Sequence, residues 1–202
     1  MKKPVIFVDF GETYFCGSAK FMAKKYAKEF YMTQKQFFDI LIKSGSWNLL
    51  ARGKITDNEH WNKIQEMLKT TDAQIAEMRR CFHSSCKPIA GMPELVKRLR
   101  KNYKVVVLSG NNRERIEYLE KKYKLSKIFH EQHYSYHYGY DKPDPRLFAA
   151  AVKKMKLKPK DCLMIDDMSD FIRDVRKMGA QGIVFKNPKQ LERDLRKTGV
   201  EI

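Results

Sequence analysis

The sequence lacks any apolar run that approaches the roughly 20 residues of a membrane-spanning helix. Its first apolar stretch covers only residues 5–8, which is too short for the core of a signal peptide, and no small-residue cleavage site follows. We therefore expect no membrane segment and a cytoplasmic location. A length of 202 residues, with 43% hydrophobic and 32% charged residues, is ordinary for a globular protein with one core and a modest accessory unit.

Cysteine is scarce, and its spacing argues against two kinds of stabilising site. The four cysteines are Cys16, Cys81, Cys86 and Cys162, and their positions resemble no disulfide framework. Cys81 and Cys86 flank His83, but a second ligand pair is missing, so a zinc site is not indicated. Reduced thiols in a cytosolic protein are the favoured interpretation.

Acidic residues are outnumbered, with 24 Asp and Glu against 41 Lys and Arg, which gives a net charge of +17. Such a field attracts phosphorylated metabolites, nucleic acid or other polyanions without choosing among them. The basic residues are scattered along several helix-like segments and form no single block. We favour solvated helix faces over a dedicated nucleic-acid groove, and keep a nucleic-acid or polyanion partner as an alternative.

From residue 89 onward, short apolar runs alternate with amphipathic segments, which indicates strand–helix alternation around a parallel sheet. The run at 5–8 has the same continuous apolar character, as expected for a strand that is buried on both faces. Predicted strands cover 5–8, 105–108, 133–136, 162–165 and 182–185, and predicted helices cover 93–100, 113–123, 145–155, 169–178 and 188–197. The predicted fold class is α/β, with a Rossmann-like three-layer α/β/α core and a central parallel sheet.

Residues 14–88 have a different character, since their apolar residues recur at helical spacing and none of them forms a good strand pattern. Thr56 and Glu59 have the spacing of a capping box at the start of one helix. We therefore predict a core domain made of 1–13 and 89–202, interrupted by an all-helical cap domain at 14–88. Trp47 and Trp61 are expected to lie in the core of this insert.

Three of the apolar strands end in polar clusters, namely Asp9, Ser109 and the pair Asp166 and Asp167. The carboxyl ends of parallel strands meet at one crevice, so these clusters are expected to face a single site. Carboxylates from two strand ends make a Mg²⁺ site plausible, because this ion prefers oxygen ligands. Ser109 and Lys142 could hold a phosphoryl group beside it.

Four segments, in order, resemble the motifs of the haloacid dehalogenase superfamily. Residues 5–13 resemble its first motif, hhhhDxDx[TV], and 107–111 resemble the second, hhh[ST]. Residues 142–148 match the Lys-Pro-Asp-Pro-x-x-Phe form of the third, and 164–167 are similar to the acidic fourth. The insert at 14–88 lies where the phosphatase branch of that family has a C1-type helical cap.

The resemblance implies a catalytic nucleophile and a metal site. Asp9 would attack phosphorus and form an aspartyl-phosphate. Mg²⁺ would be held by Asp9, Asp167 and the backbone carbonyl of Gly11, with Asp166 as an auxiliary acid.

The resemblance also implies how the substrate is held. Ser109 and Lys142 would bind the transferring phosphoryl group, with Lys142 orienting the nucleophile, and Gly110 and Asn111 would complete the substrate site. The expected activity is Mg²⁺-dependent hydrolysis of a small phosphorylated metabolite, by a monomer or homodimer.

The match departs from the family at two positions. Family phosphatases have a second Asp two residues after the nucleophile as acid/base, where this chain has Gly11. Glu12 follows, but on an extended backbone its side chain would point away from Asp9. In the fourth motif, Phe171 occupies a position where relatives often have Asn or Asp, and we interpret it as a core residue with Asp170 as a first-turn acid.

Two alternatives to a phosphatase remain open. The dehalogenase branch also lacks the second Asp of the first motif, but it needs no metal, so the pair at 166–167 favours the phosphatase branch. A catalytically weak polyanion-binding protein is consistent with Gly11 and the basic charge. The Tyr- and His-rich segment 133–140 could be a wall of the substrate pocket, although packing beside the sheet is favoured.

Overall fold

Five short strands form one parallel sheet in the computed structural model, which describes residues 3–202. They are β1 (Val5–Val8), β2 (Val105–Ser109), β3 (Glu131–Tyr134), β4 (Cys162–Asp166) and β5 (Gln181–Val184), in the order β3-β2-β1-β4-β5. Every neighbouring pair is parallel. The predicted α/β class and the central parallel sheet are confirmed, with β1 in the middle.

The predicted strand at 133–136 is displaced by two residues, because β3 spans Glu131–Tyr134 and a helix begins at Ser135. The strand begins with two polar residues, Glu131 and Gln132, which are only half-buried. As an edge strand, β3 pairs with β2 alone. A half-exposed edge strand needs no continuous apolar run, so its sequence pattern is weak.

Across residues 3–202, twelve α-helices surround the sheet or lie in the insert. They are α1 (Ser18–Tyr26), α2 (Gln34–Lys43), α3 (Ser46–Ala51), α4 (Asp57–Leu68), α5 (Asp72–Ser84), α6 (Met92–Leu99), α7 (Arg113–Tyr123), α8 (Leu125–Ile128), α9 (Ser135–Tyr138), α10 (Arg146–Lys154), α11 (Ser169–Lys177) and α12 (Pro188–Lys197). Two 3₁₀ turns lie at Ala27–Phe30 and Pro159–Asp161. Within residues 3–202, no helix is both long and apolar enough to cross a bilayer.

The two faces of the sheet carry separate apolar cores, because successive side chains of a strand point to opposite sides. On one face, strand residues such as Ile6 and Val8 pack with α6, α7 and α12. On the other face, Phe7 and Leu108 pack with α10 and α11. This arrangement is the predicted three-layer core. Phe171 is fully buried in the second cluster, as expected.

The insert has its own apolar cluster, built from α1, α2, α4 and α5 and filled by residues such as Phe37, Trp61 and Ile64. The capping box of Thr56 and Glu59 is present at the start of α4, as predicted. Helices alone occupy this segment, apart from isolated β-bridges at Phe15. This cluster lies next to the carboxyl ends of the strands, where the polar residues Asp9, Ser109 and Asp167 are found.

Candidate active site

Lys142 lies between two carboxylates at the carboxyl ends of β1 and β4. Its Nζ donates to Asp9 Oδ1 and to Asp166 Oδ2, each at 2.5 Å. The Asp9 and Lys142 side chains are both 7% exposed, and that of Asp166 is fully buried. A lysine that arrives from a loop 24 residues before Asp166 is thus fixed beside the first strand.

Local structure holds each member of this group in place. The backbone N–H of Asp9 donates to the Ile165 carbonyl at 3.0 Å, which ties the end of β1 to β4. Asp166 Oδ1 accepts from the N–H of Met168 at 2.8 Å, so both carboxylate oxygens of Asp166 have partners. The ammonium of Lys142 also lies 5.1 Å from the centre of the Phe171 ring.

Burial and neighbouring charges have opposing effects on the pKa of Asp9, and likewise on the pKa of Lys142. Burial raises the pKa of Asp9 above its usual range, against the opposing effect of the nearby Lys142 charge. Burial also works against a charged Lys142, but the negative charges of Asp166 and Asp9 outweigh it and raise the pKa of that ammonium. The lysine therefore stays charged, in contact with the carboxylate that would act as the nucleophile.

Asp167 supplies a third carboxylate to the same point. One oxygen each from Asp9, Asp166 and Asp167 lie within 4.8 Å of one another. Burial, and then the charge of Asp166, raise the pKa of Asp167 to about 6. Oxygen donors clustered at this distance are the ligand chemistry that Mg²⁺ takes in proteins. Within residues 3–202, Asp9 Oδ2 accepts no hydrogen bond, so it remains available to a cation.

The end of β2 and the turn that follows it bring Ser109, Gly110 and Asn111 to the site. Asp141, just before Lys142, packs directly against this turn and accepts the Lys142 N–H at 2.9 Å. A Cβ added at Gly110 would lie 2.2 Å from Asp141 Oδ1, so only glycine leaves room for that carboxylate. Burial raises the pKa of Asp141 to about 6. Sequence patterns did not single out this acid.

These groups line a cavity of about 340 Å³ between the strand ends and the insert. Every predicted site residue except Asp166, which lies beneath the surface, lines it: Asp9, Gly11, Ser109, Gly110, Asn111, Lys142 and Asp167. The opposite wall comes from the insert and is largely apolar, with Phe38, Ile42, Trp47 and Phe82. The volume suits a small metabolite.

A family model described as haloacid dehalogenase-like hydrolase matches residues 3–170 of the sequence. The chain belongs to this family. The match includes the strand-end carboxylates and Lys142, and it extends through the whole insert.

Among curated proteins, the chain is similar to flavin mononucleotide hydrolase 1 of Arabidopsis thaliana, with 27% identity over 156 residues. That alignment covers 77% of this chain and 63% of the plant protein. The chain spans 43% and 63% of the lengths of two curated relatives that it matches.

Solved structures of the same family share the fold. A HAD family enzyme from Bacteroides thetaiotaomicron has a TM-score of 0.76 at 20% identity, covering 93% of this chain and 95% of that one. That enzyme has also been crystallised with magnesium and inorganic phosphate. An L-2-haloacid dehalogenase from Xanthobacter autotrophicus has a TM-score of 0.66 at 15% identity, covering 100% of this chain and 85% of that one.

One expectation about the site of this HAD-like chain is wrong. Glu12 has φ 56°, so the backbone is not extended there, and its side chain lines the cavity together with Asp9. Glycine at position 17 leaves room for it, since a Cβ there would lie 1.9 Å from Glu12 Oε1. Trp47 packs against the insert's core as expected but is only partly buried and also lines the cavity, whereas Trp61 is buried in that core.

Sequence reasoning also missed Arg115, a buried residue of α7 that lines the cavity of this HAD-like chain. Arg115 lies among polar residues in the first turn of α7, so the sequence does not distinguish it from a surface residue. Its contacts with Ser18 and Cys86 join segments that are far apart in sequence, so only the folded chain reveals them. By contrast, the aromatic segment 133–140 lines no part of this cavity, in agreement with the favoured packing interpretation.

Proposed function

We propose that the protein is a Mg²⁺-dependent phosphomonoesterase that acts on a small phosphorylated metabolite through an aspartyl-phosphate on Asp9. The observation that carries the proposal is the contact of Lys142 with both Asp9 and Asp166, with Asp167 beside them, at the strand ends that border the cavity. A positive charge held against a carboxylate nucleophile is suited to an anionic substrate.

The cation would be held by Asp9, Asp167 and the backbone carbonyl of Gly11. Asp166 has both oxygens engaged by Lys142 and Met168, so we assign it to positioning Lys142 instead. Bound Mg²⁺ would offset the repulsion between the nucleophile and the anionic phosphoryl group. The Bacteroides relative crystallised with magnesium and phosphate supports this choice of ion.

The chain's own residues account for the first chemical step. An oxygen of Asp9 attacks phosphorus, and the bond from phosphorus to the ester oxygen breaks, leaving the phosphoryl group on Asp9. Lys142 and Ser109 hold the phosphoryl oxygens during this transfer. Helices α1–α5, within a proposed cap at residues 14–88, exclude bulk water from the cavity.

The proposed site is unusual because the position two residues after Asp9, Gly11, provides no proton donor for the leaving oxygen. Gly11 has no side chain to donate a proton or to activate water for release of phosphate in the second step. Leaving groups that are stable as anions, such as phenolates, therefore depart more easily than alkoxides. We expect aryl phosphates to be better substrates than alkyl phosphates.

The apolar wall of the cavity favours a leaving group with a flat or apolar part, which Trp47 and Phe82 would contact. The name of the Arabidopsis relative, flavin mononucleotide hydrolase, is consistent with a flat ring in this position, although flavin mononucleotide is an alkyl phosphate and should therefore react more slowly than an aryl phosphate. Flavin mononucleotide is accordingly one member of the substrate panel that tests the proposal.

The test is phosphate release from a panel of aryl and alkyl phosphates, including flavin mononucleotide, with Mg²⁺ and with a chelator. We expect turnover that requires Mg²⁺ and falls to background in Asp9→Asn. Arg193→Met, on the exposed face of α12, is the control for a general effect of substitution. Absence of release across the panel, or chloride release from 2-chloropropionate without metal, contradicts the proposal.

A further inference from the structure

Arg115 is a buried arginine with no counter-charge in the described part of the chain. It is only 7% exposed, and it forms no ion pair with any carboxylate of residues 3–202. Arginine remains charged at any ordinary pH. A buried charge without a partner is destabilising, so its presence calls for an explanation.

The side-chain contacts that Arg115 makes with the described residues are to neutral groups. Nη2 donates to Ser18 Oγ at 3.1 Å and to Cys86 Sγ at 3.2 Å, and sulfur is a weak acceptor. The guanidinium carbon lies 4.9 Å from the centre of the Phe82 ring. Nε is buried and has no hydrogen-bond partner. The guanidinium thus retains unused donors.

The helix also opposes a cation at this position. Arg115 lies in the first turn of α7, where its N–H donates to the Asn112 side chain that caps the helix, at 2.7 Å. The amino end of a helix carries partial positive charge, which disfavours a cation there. Neither local structure nor an ion pair accounts for the residue, whereas a bound anion would satisfy both the charge and the donors.

Arg115 lies in the wall of the cavity that contains the proposed nucleophile. Arg115, Ser18 and Phe82 line the same cavity as Asp9 and Lys142. Ser18 and Phe82 belong to insert helices α1 and α5, so this part of the cavity lies at the boundary of insert and sheet. The phosphoryl group would be held by Lys142 at the strand ends, which leaves Arg115 to contact the remainder of the substrate.

We propose that Arg115 forms an anion-binding subsite, so that preferred substrates are phosphate esters with a second acidic group on the leaving group. A carboxylate or a second phosphate would accept the paired N–H groups of the guanidinium. The inference rests on the proposed phosphatase function, and it names the substrate class of that same site.

Binding of non-hydrolysable probes tests the subsite without turnover. The probes are phosphonocarboxylates of increasing chain length, each paired with its primary amide, titrated calorimetrically into the protein with Mg²⁺ present. For at least one chain length, we expect the acid to bind about tenfold or more tightly than the amide, and the preference to fall below about twofold in Arg115→Met. Bisphosphonates of matched length show whether a second phosphate replaces the carboxylate.

Two controls separate recognition from a structural role. Arg193→Met removes the same charge from an exposed helix position paired with Asp194, and it should keep the preference for the acid. Arg115→Met should melt at the same or a higher temperature, because a buried unpaired charge is removed.

The outcomes that overturn the inference are distinct from failure of the proposed function. Equal binding of acid and amide at every chain length contradicts it, and so does a preference that survives Arg115→Met. A lower melting temperature with an unchanged preference assigns Arg115 to holding the insert on the sheet. Failure of the phosphatase proposal is seen separately, as absence of phosphate release from the ester panel.

Discussion

At the scale of single residues, Lys142 determines the electrostatics of the site. The ammonium of Lys142 is buried, and it donates hydrogen bonds of 2.5 Å to the carboxylates of Asp9 and Asp166. These two groups offset its positive charge. Removing one member of a buried charged group leaves the others unpaired, which is strongly destabilising. In the proposed mechanism, Asp166 acts on Lys142, and Lys142 in turn positions Asp9.

Gly11 is the residue that most limits the proposed chemistry, and its surroundings allow a direct test. A Cβ at Gly11 would have no atom within 4 Å, so the backbone there accepts a side chain without an immediate clash. We expect Gly11→Asp to raise kcat for an alkyl phosphate by about 10²- to 10⁴-fold, since it restores a proton donor. The effect on an aryl phosphate should be smaller, because a phenolate leaves without a proton.

Gly11→Asn is the matched control, because it has the same shape without the ionisable group. Steady-state kinetics of the three proteins on paired alkyl and aryl esters give the answer. Equal rates for Gly11→Asp and Gly11→Asn on the alkyl ester would show that a missing proton donor does not limit the reaction.

At the scale of elements, the strands that are buried on both faces were predictable from sequence. Continuous apolar runs marked β1, β2 and β4, and each ended in the polar residues that meet at the site. The helical character of the insert was predictable from apolar spacing and from the capping box of Thr56. The edge strand β3 was misplaced because its exposed positions carry polar side chains.

The remainder of the site depends on packing that the sequence pattern does not encode. Glu12 enters the cavity only because the backbone turns to a positive φ, and Gly17 leaves room for it. Trp47 and Arg115 reach the cavity from the insert and from α7, which pack together only in the folded chain. Contacts of this kind join residues far apart in sequence, so no local signal marks them.

The insert contains a buried histidine that should make it sensitive to acid. His60 in α4 is 2% exposed, and its Nδ1 lies 2.8 Å from Ser46 Oγ. Burial lowers the pKa of His60 to about 4. The folded protein therefore keeps His60 neutral, while the unfolded chain takes up a proton below its ordinary value of about 6.5.

Stability should consequently fall as the pH decreases from about 6.5 towards 4. For His60 alone, the loss of unfolding free energy between pH 7 and pH 5 is about 2 kcal/mol. In His60→Gln that part of the pH dependence should disappear. Denaturant unfolding of both proteins at the two pH values measures it, and an unchanged pH dependence in the variant would contradict the assignment.

At the scale of the whole molecule, the net charge of +17 invites comparison with nucleic-acid-binding proteins. Several basic residues are exposed on different helices and already paired with acids, as in the contacts of Arg98 and Arg196 with Glu192. This distribution suits attraction of small anions to the cavity more than a continuous groove. A polyanion-binding function remains the alternative to the phosphatase.

Affinity for nucleic acid at 200 mM salt distinguishes the two functions. We expect any binding of a duplex oligonucleotide to weaken by about 10³-fold or more between 50 and 200 mM salt, as for contacts to phosphates alone. Fluorescence anisotropy at the two salt concentrations measures this loss. Submicromolar affinity that survives at 200 mM salt, and is unchanged in Asp9→Asn, would favour the polyanion-binding alternative.

The proposed function depends most directly on phosphorylation of Asp9 during turnover. Because Gly11 offers no group to activate water, release of phosphate from Asp9 should be slow, and the phosphorylated protein should accumulate. Rapid quenching after mixing with Mg²⁺ and an aryl phosphate, followed by peptide mass spectrometry, detects it. We predict one added phosphoryl group on the peptide that contains Asp9 and none in Asp9→Asn. Turnover with an unmodified Asp9 peptide, or with the phosphoryl group on another residue, would contradict the account.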